Sequence, residues 1–317
     1  MPLTTDPKVL GLCEDLLKQF AVIFGSHPGF RPVHAKGILL KGTFSGSAEG
    51  KALTRAPHVH RDAVPVVVRF SDATGIPTIP DNDPNANPRG AAVRFYLAER
   101  VHTDIVMHSV NAFPAKTPQE FLEFLRAVGS GDPTQFLATH PAAMNFVQPI
   151  PVPSSFARNE YFGITAMKFT NKEGASKFGR FRLTPEAGVE NLDGATAKGK
   201  TAEFLFDELK GRIAERAVKF DVVVQVANNG DVVNESTTIW PEDRKLVKLG
   251  KVELTATVPD DAQEQKHLIF DPLPRVEGID PSDDPLLELR AALYLMSGRR
   301  RREAPEESVA GSKVAGA

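Results

Sequence analysis

The spacing of apolar positions changes period several times along the chain, and each change marks an element. Over residues 7–25, Val9, Leu10, Leu12, Cys13, Leu16, Leu17 and Phe20 recur every three to four residues, which predicts an amphipathic helix. From 34 to 106 the pattern shifts to short runs of Val, Ile, Leu and Phe broken by Gly, Pro, Asn and Asp. The runs at 37–44, 64–70, 91–97 and 105–110 read as strands of an antiparallel sheet. Helical spacing returns at 118–128, and further strand-like runs follow at 166–169, 178–183, 220–226 and 251–258. A strong helix is expected over 285–296, with Pro285 suited to its first turn and Gly298 to its end. Past Arg302 the apolar periodicity stops, so residues 303–317 are expected to form a disordered tail on a single domain of residues 1–302. No repeat and no second boundary is visible.

Composition narrows the class. Twenty-five prolines spread over 317 residues argue against a regular helical bundle. With 41% apolar and 25% charged residues the chain is an ordinary globular one, and no apolar run is long enough to span a membrane. The 38 basic residues against 40 acidic ones give a net charge of −2, which provides no overall field for nucleic acid or an anionic membrane. One cysteine, Cys13, excludes an internal disulfide framework and sits on the apolar side of the first helix, where a core role is expected. The first residues lack a basic start followed by an apolar run, so a cytoplasmic location is expected.

Several patterns that suggest chemistry fall away on inspection. Asp81-Asn-Asp-Pro-Asn85 opens like a calcium loop, but Ala86 and Ala92 stand where Gly and Glu are needed, so a plain turn is expected. His58 and His60 are two ligands without a third and read as exposed loop histidines. Arg299 to Arg302 complement the end of the last helix and suit an anionic ligand. There is no phosphate loop and no nucleophile elbow. What remains is scattered: Arg31-Pro-Val-His-Ala-Lys-Gly37; Arg69 and Ser71, which alternation puts on one strand face; and Arg290 and Tyr294, four apart on the last helix.

The first of these stretches resembles the signature around the distal histidine of the haem catalase superfamily: Arg, two aliphatics, His, a small residue, a basic residue and Gly. The resemblance continues in the same order through Pro65-Val-Val-Val-Arg-Phe-Ser71, Asn87-Pro-Arg-Gly-Ala-Ala-Val-Arg-Phe-Tyr96, Asp104-Ile-Val106 and Glu190-Asn-Leu192. It closes with Trp240-Pro241, Ile269-Phe-Asp-Pro272, Gly278-Ile-Asp-Pro-Ser282 and Arg290-Ala-Ala-Leu-Tyr294, and so covers roughly residues 28 to 302. It implies an α+β fold, the antiparallel eight-stranded β-barrel with surrounding α-helices. Typical catalases continue past the position of Tyr294 into a helical region, whereas this chain ends within about one turn and a tail. The protein is therefore similar to a minimal catalase-related haem protein, and NADPH, whose surface is built partly from that further region, is not expected.

The same resemblance assigns roles. Tyr294 would be the proximal ligand of a haem, expected to be haem b, with Arg290 favouring its phenolate. His34 would be the distal acid–base catalyst, oriented by Ser71. Arg31 and Arg69 would meet the haem propionates, with Arg301 as a further partner, and Val33, Phe113 and Phe121 would line the cofactor. Catalases carry an asparagine four residues after the position of Asp104. Here that slot holds His108, and Asn111 should not replace it, because residues three apart on a strand face opposite ways. The implied function is haem-dependent peroxidase chemistry under oxidative stress, on organic hydroperoxides and hydrogen peroxide, with a small-molecule electron donor. Rivals are catalase disproportionation, a hydroperoxide dehydratase of the allene oxide synthase kind, disfavoured because Val33 stands where those enzymes carry threonine, and a haem-carrying barrel without enzymatic role. A homo-oligomer is left open.

Overall fold

The computed structural model describes residues 3–305. In chain order the elements begin with α1 (Pro7–Phe24), β1 (Gly37–Gly46), α2 (Ala48–Leu53), β2 (Val64–Ser71), β3 (Gly90–Ala98), β4 (Val101–His108) and α3 (Pro118–Gly129). Then come α4 (Thr134–Thr139), α5 (Pro141–Phe146), β5 (Tyr161–Phe162), β6 (Met167–Thr170), β7 (Ser176–Pro185), α6 (Gly194–Lys198) and α7 (Phe204–Glu215). The chain closes with β8 (Val218–Val226), β9 (Leu246–Thr257), α8 (Asp261–His267), β10 (Ile279–Pro281) and α9 (Leu286–Glu303).

Antiparallel pairing runs β7-β5-β4-β3-β2-β1-β9-β8 and returns to β7, which closes the expected eight-stranded barrel, while β6 and β10 extend from β7. Closure removes both sheet edges. Inside, alternate residues of each strand fill the core: Val64, Val66, Val68 and Phe70 from β2, Val93 and Phe95 from β3, Phe220, Val222 and Val224 from β8. The residues between them point out of the barrel. This is what puts Arg69 and Ser71 on its outer wall, beside the small apolar patch of Leu39, Val67, Ala92, Val106, Leu268 and Phe270. Against that wall stands a second core in which α1, α3 and α9 pack through Leu16, Leu17, Phe20, Leu122, Leu125, Leu289 and Leu293. Cys13 is buried there, its thiol pushed up to about 11 by burial and by neighbouring Glu14.

Three expectations need correction. The last helix does not stop at Gly298 but runs on to Glu303, and a Cβ at position 298 would meet Ile269 Cδ1 at 2.2 Å. Gly298 is there for that close approach. His58 is not an exposed loop residue. It lies on a short 3-10 turn, 1% exposed, with its ring 4.7 Å from that of Phe95 and 5.9 Å from that of Phe44. Asp81 sits in a turn but is buried, accepting from Lys36 and from the Leu205 backbone N–H. The expected tail of 303–317 lies, apart from residues 303–305, outside the described residues. No described helix is long and apolar enough to cross a membrane.

Candidate active site

Between the outer wall of β2, β3 and β4 and the face of α9 lies a cleft of about 700 Å³. His34, Val33 and Arg31 border it from the loop before β1, Arg69 and Ser71 from β2, His108 from β4, and Tyr294 and Arg301 from α9. The residues singled out along the sequence are thus drawn from both ends of the chain onto one space. Asn111 does not border it. Nor do Phe113 and Phe121, whose rings pack on each other at 4.7 Å, with Phe121 drawn against the helical core at 6.3 Å from Phe20.

His34 is held from two sides. Its backbone is in the left-handed region at φ 56°, a strained setting for a non-glycine residue. Arg69 Nη2 secures it by donating to the His34 carbonyl at 2.8 Å and to that of Ala35 at 3.2 Å. The imidazole Nδ1 pairs with Ser71 Oγ at 3.1 Å. Two glycines make this crowding possible: a Cβ on Gly37 would lie 2.3 Å from Arg69 Nη2, and one on Gly90 would lie 2.6 Å from Ser71 Oγ and 2.9 Å from His34 Nδ1. Behind the loop, Lys36 turns away from the cleft into a buried cluster, where it pairs with Asp81 and Glu203, and Arg89 pairs with Asp72. The basic residue of the motif is therefore an anchor.

The electrostatics are one-sided. Arg69 and Arg301 are each 3% exposed and the half-buried Arg31 stands beside them, yet among the described residues none of the three has a carboxylate within ion-pair distance. Arg31 donates to Leu268 O at 2.9 Å, Arg301 to Lys266 O and Leu268 O at 2.9 and 2.8 Å, and Arg69 Nε to Gln265 Oε1 at 2.7 Å. Burial pulls Arg69 down to about 9 and Arg301 to about 8, with Arg31 adding to the pull on Arg301. Arg31 is lowered by burial and by Arg69. Guanidinium does not surrender its proton near neutrality, so these shifts amount to a positive potential waiting for an anion. Asp261 is the acid felt most by this group, but its oxygens accept from Leu39 N and Gln265 Nε2.

Burial keeps both histidines neutral, and neighbouring charges add to it. Burial, then Arg69, lowers His34 to about 3, and His108, its ring 5.3 Å from that of His34, is lowered by burial, His34 and Arg290. On α9, Arg290 Nη2 lies 3.4 Å from Tyr294 Oη, as the four-residue spacing foretells.

The Catalase family model matches residues 28–306. The chain belongs to the catalase family. Among its relatives is the catalase-related peroxidase of Mycolicibacterium paratuberculosis, 34% identical over 288 residues that cover 87% of this chain and 90% of that one. The catalase-related peroxidase of Synechococcus elongatus is 31% identical over 300 residues, 91% of this chain and 88% of that one. A fungal catalase crystal structure shares the fold at a TM-score of 0.77 with 22% identity, covering 95% of this chain and 63% of that chain. Catalase-family proteins depend on haem. The residues present fit it: three guanidinium groups with no carboxylate of the described residues within ion-pair distance suit two carboxylates at the rim, Ile269, Phe270, Val33 and Val106 supply apolar walls, and the Tyr294 oxygen suits a ferric ion. Sequence reasoning missed Gln265, Asp261, Asp72, Asp81 and Arg89, which hold the loop and the arginines. Asp81 and Arg89 lie in stretches already singled out, but nothing in the sequence marks any of the five as a support, and only the fold brings them near.

The neutral histidines make a pH prediction. In the unfolded chain histidine binds its proton near 6.5, whereas folded His34 does so only near 3, so in that window the unfolded state binds more protons. Stability from such a group is complete above 6.5 and lost as pH falls. Burial raises Asp72, Asp261 and Asp284, which act in the opposite sense, so the test is differential. Relative to wild type, His108→Asn should gain up to about 1.4 kcal/mol per pH unit below pH 6.5 in urea unfolding. A difference that does not vary with pH would contradict a buried neutral His108.

Proposed function

We propose that this protein is a haem-dependent peroxidase that reduces hydroperoxides, organic ones included, at the expense of a small electron donor. The observation that carries the reading is the opposition, across one cleft, of a neutral His34 fixed by Ser71 and of Tyr294 beside Arg290. Bound haem supplies the redox-active iron at which the peroxide O–O bond is cleaved. Tyr294 holds that iron from α9, and Arg31, Arg69 and Arg301 hold the propionates.

His34 handles the proton. With Nδ1–H donating to Ser71 Oγ, the Nε2 lone pair is left for substrate, and a ring lowered to about 3 is unprotonated at neutral pH. It accepts the hydroperoxide proton and returns it to the departing oxygen, which leaves as alcohol, or as water from hydrogen peroxide. Two electrons and two protons from the donor complete the reduction of ROOH to ROH and water. Removal of this group while Tyr294 and the arginines stay in place separates chemistry from binding. His34→Ala should keep its haem and resting spectrum and react with an alkyl hydroperoxide about 10²-fold more slowly in rapid mixing. A wild-type rate would move the role to His108.

His108 decides between peroxidase and catalase chemistry. A neutral imidazole 5.3 Å from that of His34 fills the place where catalases carry an amide, and it narrows the room for a second hydrogen peroxide. Dye oxidation driven by an alkyl hydroperoxide should therefore be ready, and oxygen release from hydrogen peroxide slow. Oxygen evolution at turnover comparable with dye oxidation would favour disproportionation instead.

A further inference from the structure

The barrel wall is breached beside α9. β3 pairs with β4 along nearly its whole length, but on its other edge β4 meets a strand only at His108, opposite Phe162. Next to the unpaired edge, over residues 103–106, lies a second, small cavity, bordered by His58, Met167 and Phe181 from within the barrel and by Arg290 from the helix outside. It is separate from the cleft that holds His34, and it reaches the far side of the pair that Arg290 makes with Tyr294.

Two buried polar groups are left incomplete here. Arg290 is 7% exposed and carries five N–H donors, yet among the described residues its one hydrogen bond is the 3.4 Å contact with Tyr294 Oη, and it has no ion pair there. Neither ring nitrogen of His58 has a hydrogen-bond partner in the protein, and Nδ1 is sealed from solvent. Other groups do not complete them. Asp104 borders the cavity, but its carboxylate already accepts two hydrogen bonds from Arg94 and one from the Asp271 N–H. Asp284 attracts Arg290 from the chain before α9 but lies beyond ion-pair distance and does not border the cavity. Thr103 accepts from Arg275 N. A polar void with unpaired donors on one side and an imidazole on the other is where ordered water belongs.

We propose that water in this breach hydrogen-bonds the neutral imidazole of His58 to the guanidinium of Arg290, making His58 a positioning residue for Tyr294. Arg290 has no other protein acceptor to fix its rotation, so the link determines whether Nη2 stays on the Tyr294 oxygen. The inference rests on the reading of Tyr294 as axial ligand.

The test uses the haem-loaded protein and two readouts other than turnover: the iron–phenolate stretch in resonance Raman and the rate of haem transfer to an apoglobin acceptor. His58→Phe keeps a ring between Phe44 and Phe95 without nitrogen; His58→Gln returns a hydrogen-bonding group. The Phe variant should shift the stretch and lose haem about tenfold faster, as removal of an outer partner of a metal ligand does, and the Gln variant should stay near wild type. No change in the Phe variant, or equal impairment in both, overturns the proposal. If Phe does not fold, His58→Leu takes its place with the same expectations, and if no apolar variant folds the role is structural and the proposal fails. Tyr294→Phe must abolish the stretch. Its persistence there would sink the axial assignment, whereas its loss there together with an unchanged His58→Phe would sink only the water link.

Discussion

Three guanidinium groups, two buried and one half-buried, gathered with no carboxylate of the described residues within ion-pair distance are the constraint on which the rest of the site depends. Taking a charge out of water costs several kcal/mol unless an opposite charge replaces the lost solvation. Arg31, Arg69 and Arg301 recover only part of that from backbone carbonyls and Gln265. Burial, which imposes this cost, also keeps His34 from taking a proton before a substrate offers one, with Arg69 adding to it. The cost of the cluster and the readiness of the base therefore have one origin, and a dianionic cofactor would relieve the first without abolishing the second.

The fold serves that cluster. A closed barrel gives a wall rigid enough to carry a left-handed histidine, because Arg69 reaches that residue's carbonyl from the outer face of β2 while Phe70, one position on, is locked in the core. The helical side is built differently. α9 is packed on α1 through Leu289 and Leu293, and Gly298 lets it press on Ile269, so that Tyr294 and Arg301 face the wall at a fixed distance from it. One face presents the His34 imidazole, the other the Tyr294 oxygen, and Arg31, Arg69 and Arg301 border the space between them.

Much of this was legible in the sequence, for identifiable reasons. Strand alternation placed Arg69 and Ser71 together on one face, which the fold makes the outer wall, and helical spacing placed Arg290 beside Tyr294, since both are local periodicities. The barrel itself came from the resemblance; periodicity alone gave only an antiparallel sheet. The misreadings are tertiary. Gly298 looked like a stop because a sequence cannot show Ile269 lying against the helix, and His58 looked exposed because its neighbours Phe44 and Phe95 come from other strands. Phe113 and Phe121 keep a family spacing; in the structure their rings lie against each other and Phe121 packs with Phe20, away from the residues that border the cleft.

The most direct test of the central claim is to compare, by titration of the apoprotein, the affinity for haem and for its dimethyl ester, which keeps the iron and the macrocycle but loses both negative charges. If the buried arginines await two carboxylates, the ester should bind at least about 100-fold more weakly, the loss expected when charge-assisted pairs are removed from buried cations. Equal affinity for the two would contradict the account, because the positive cluster would then be balanced by something other than the cofactor.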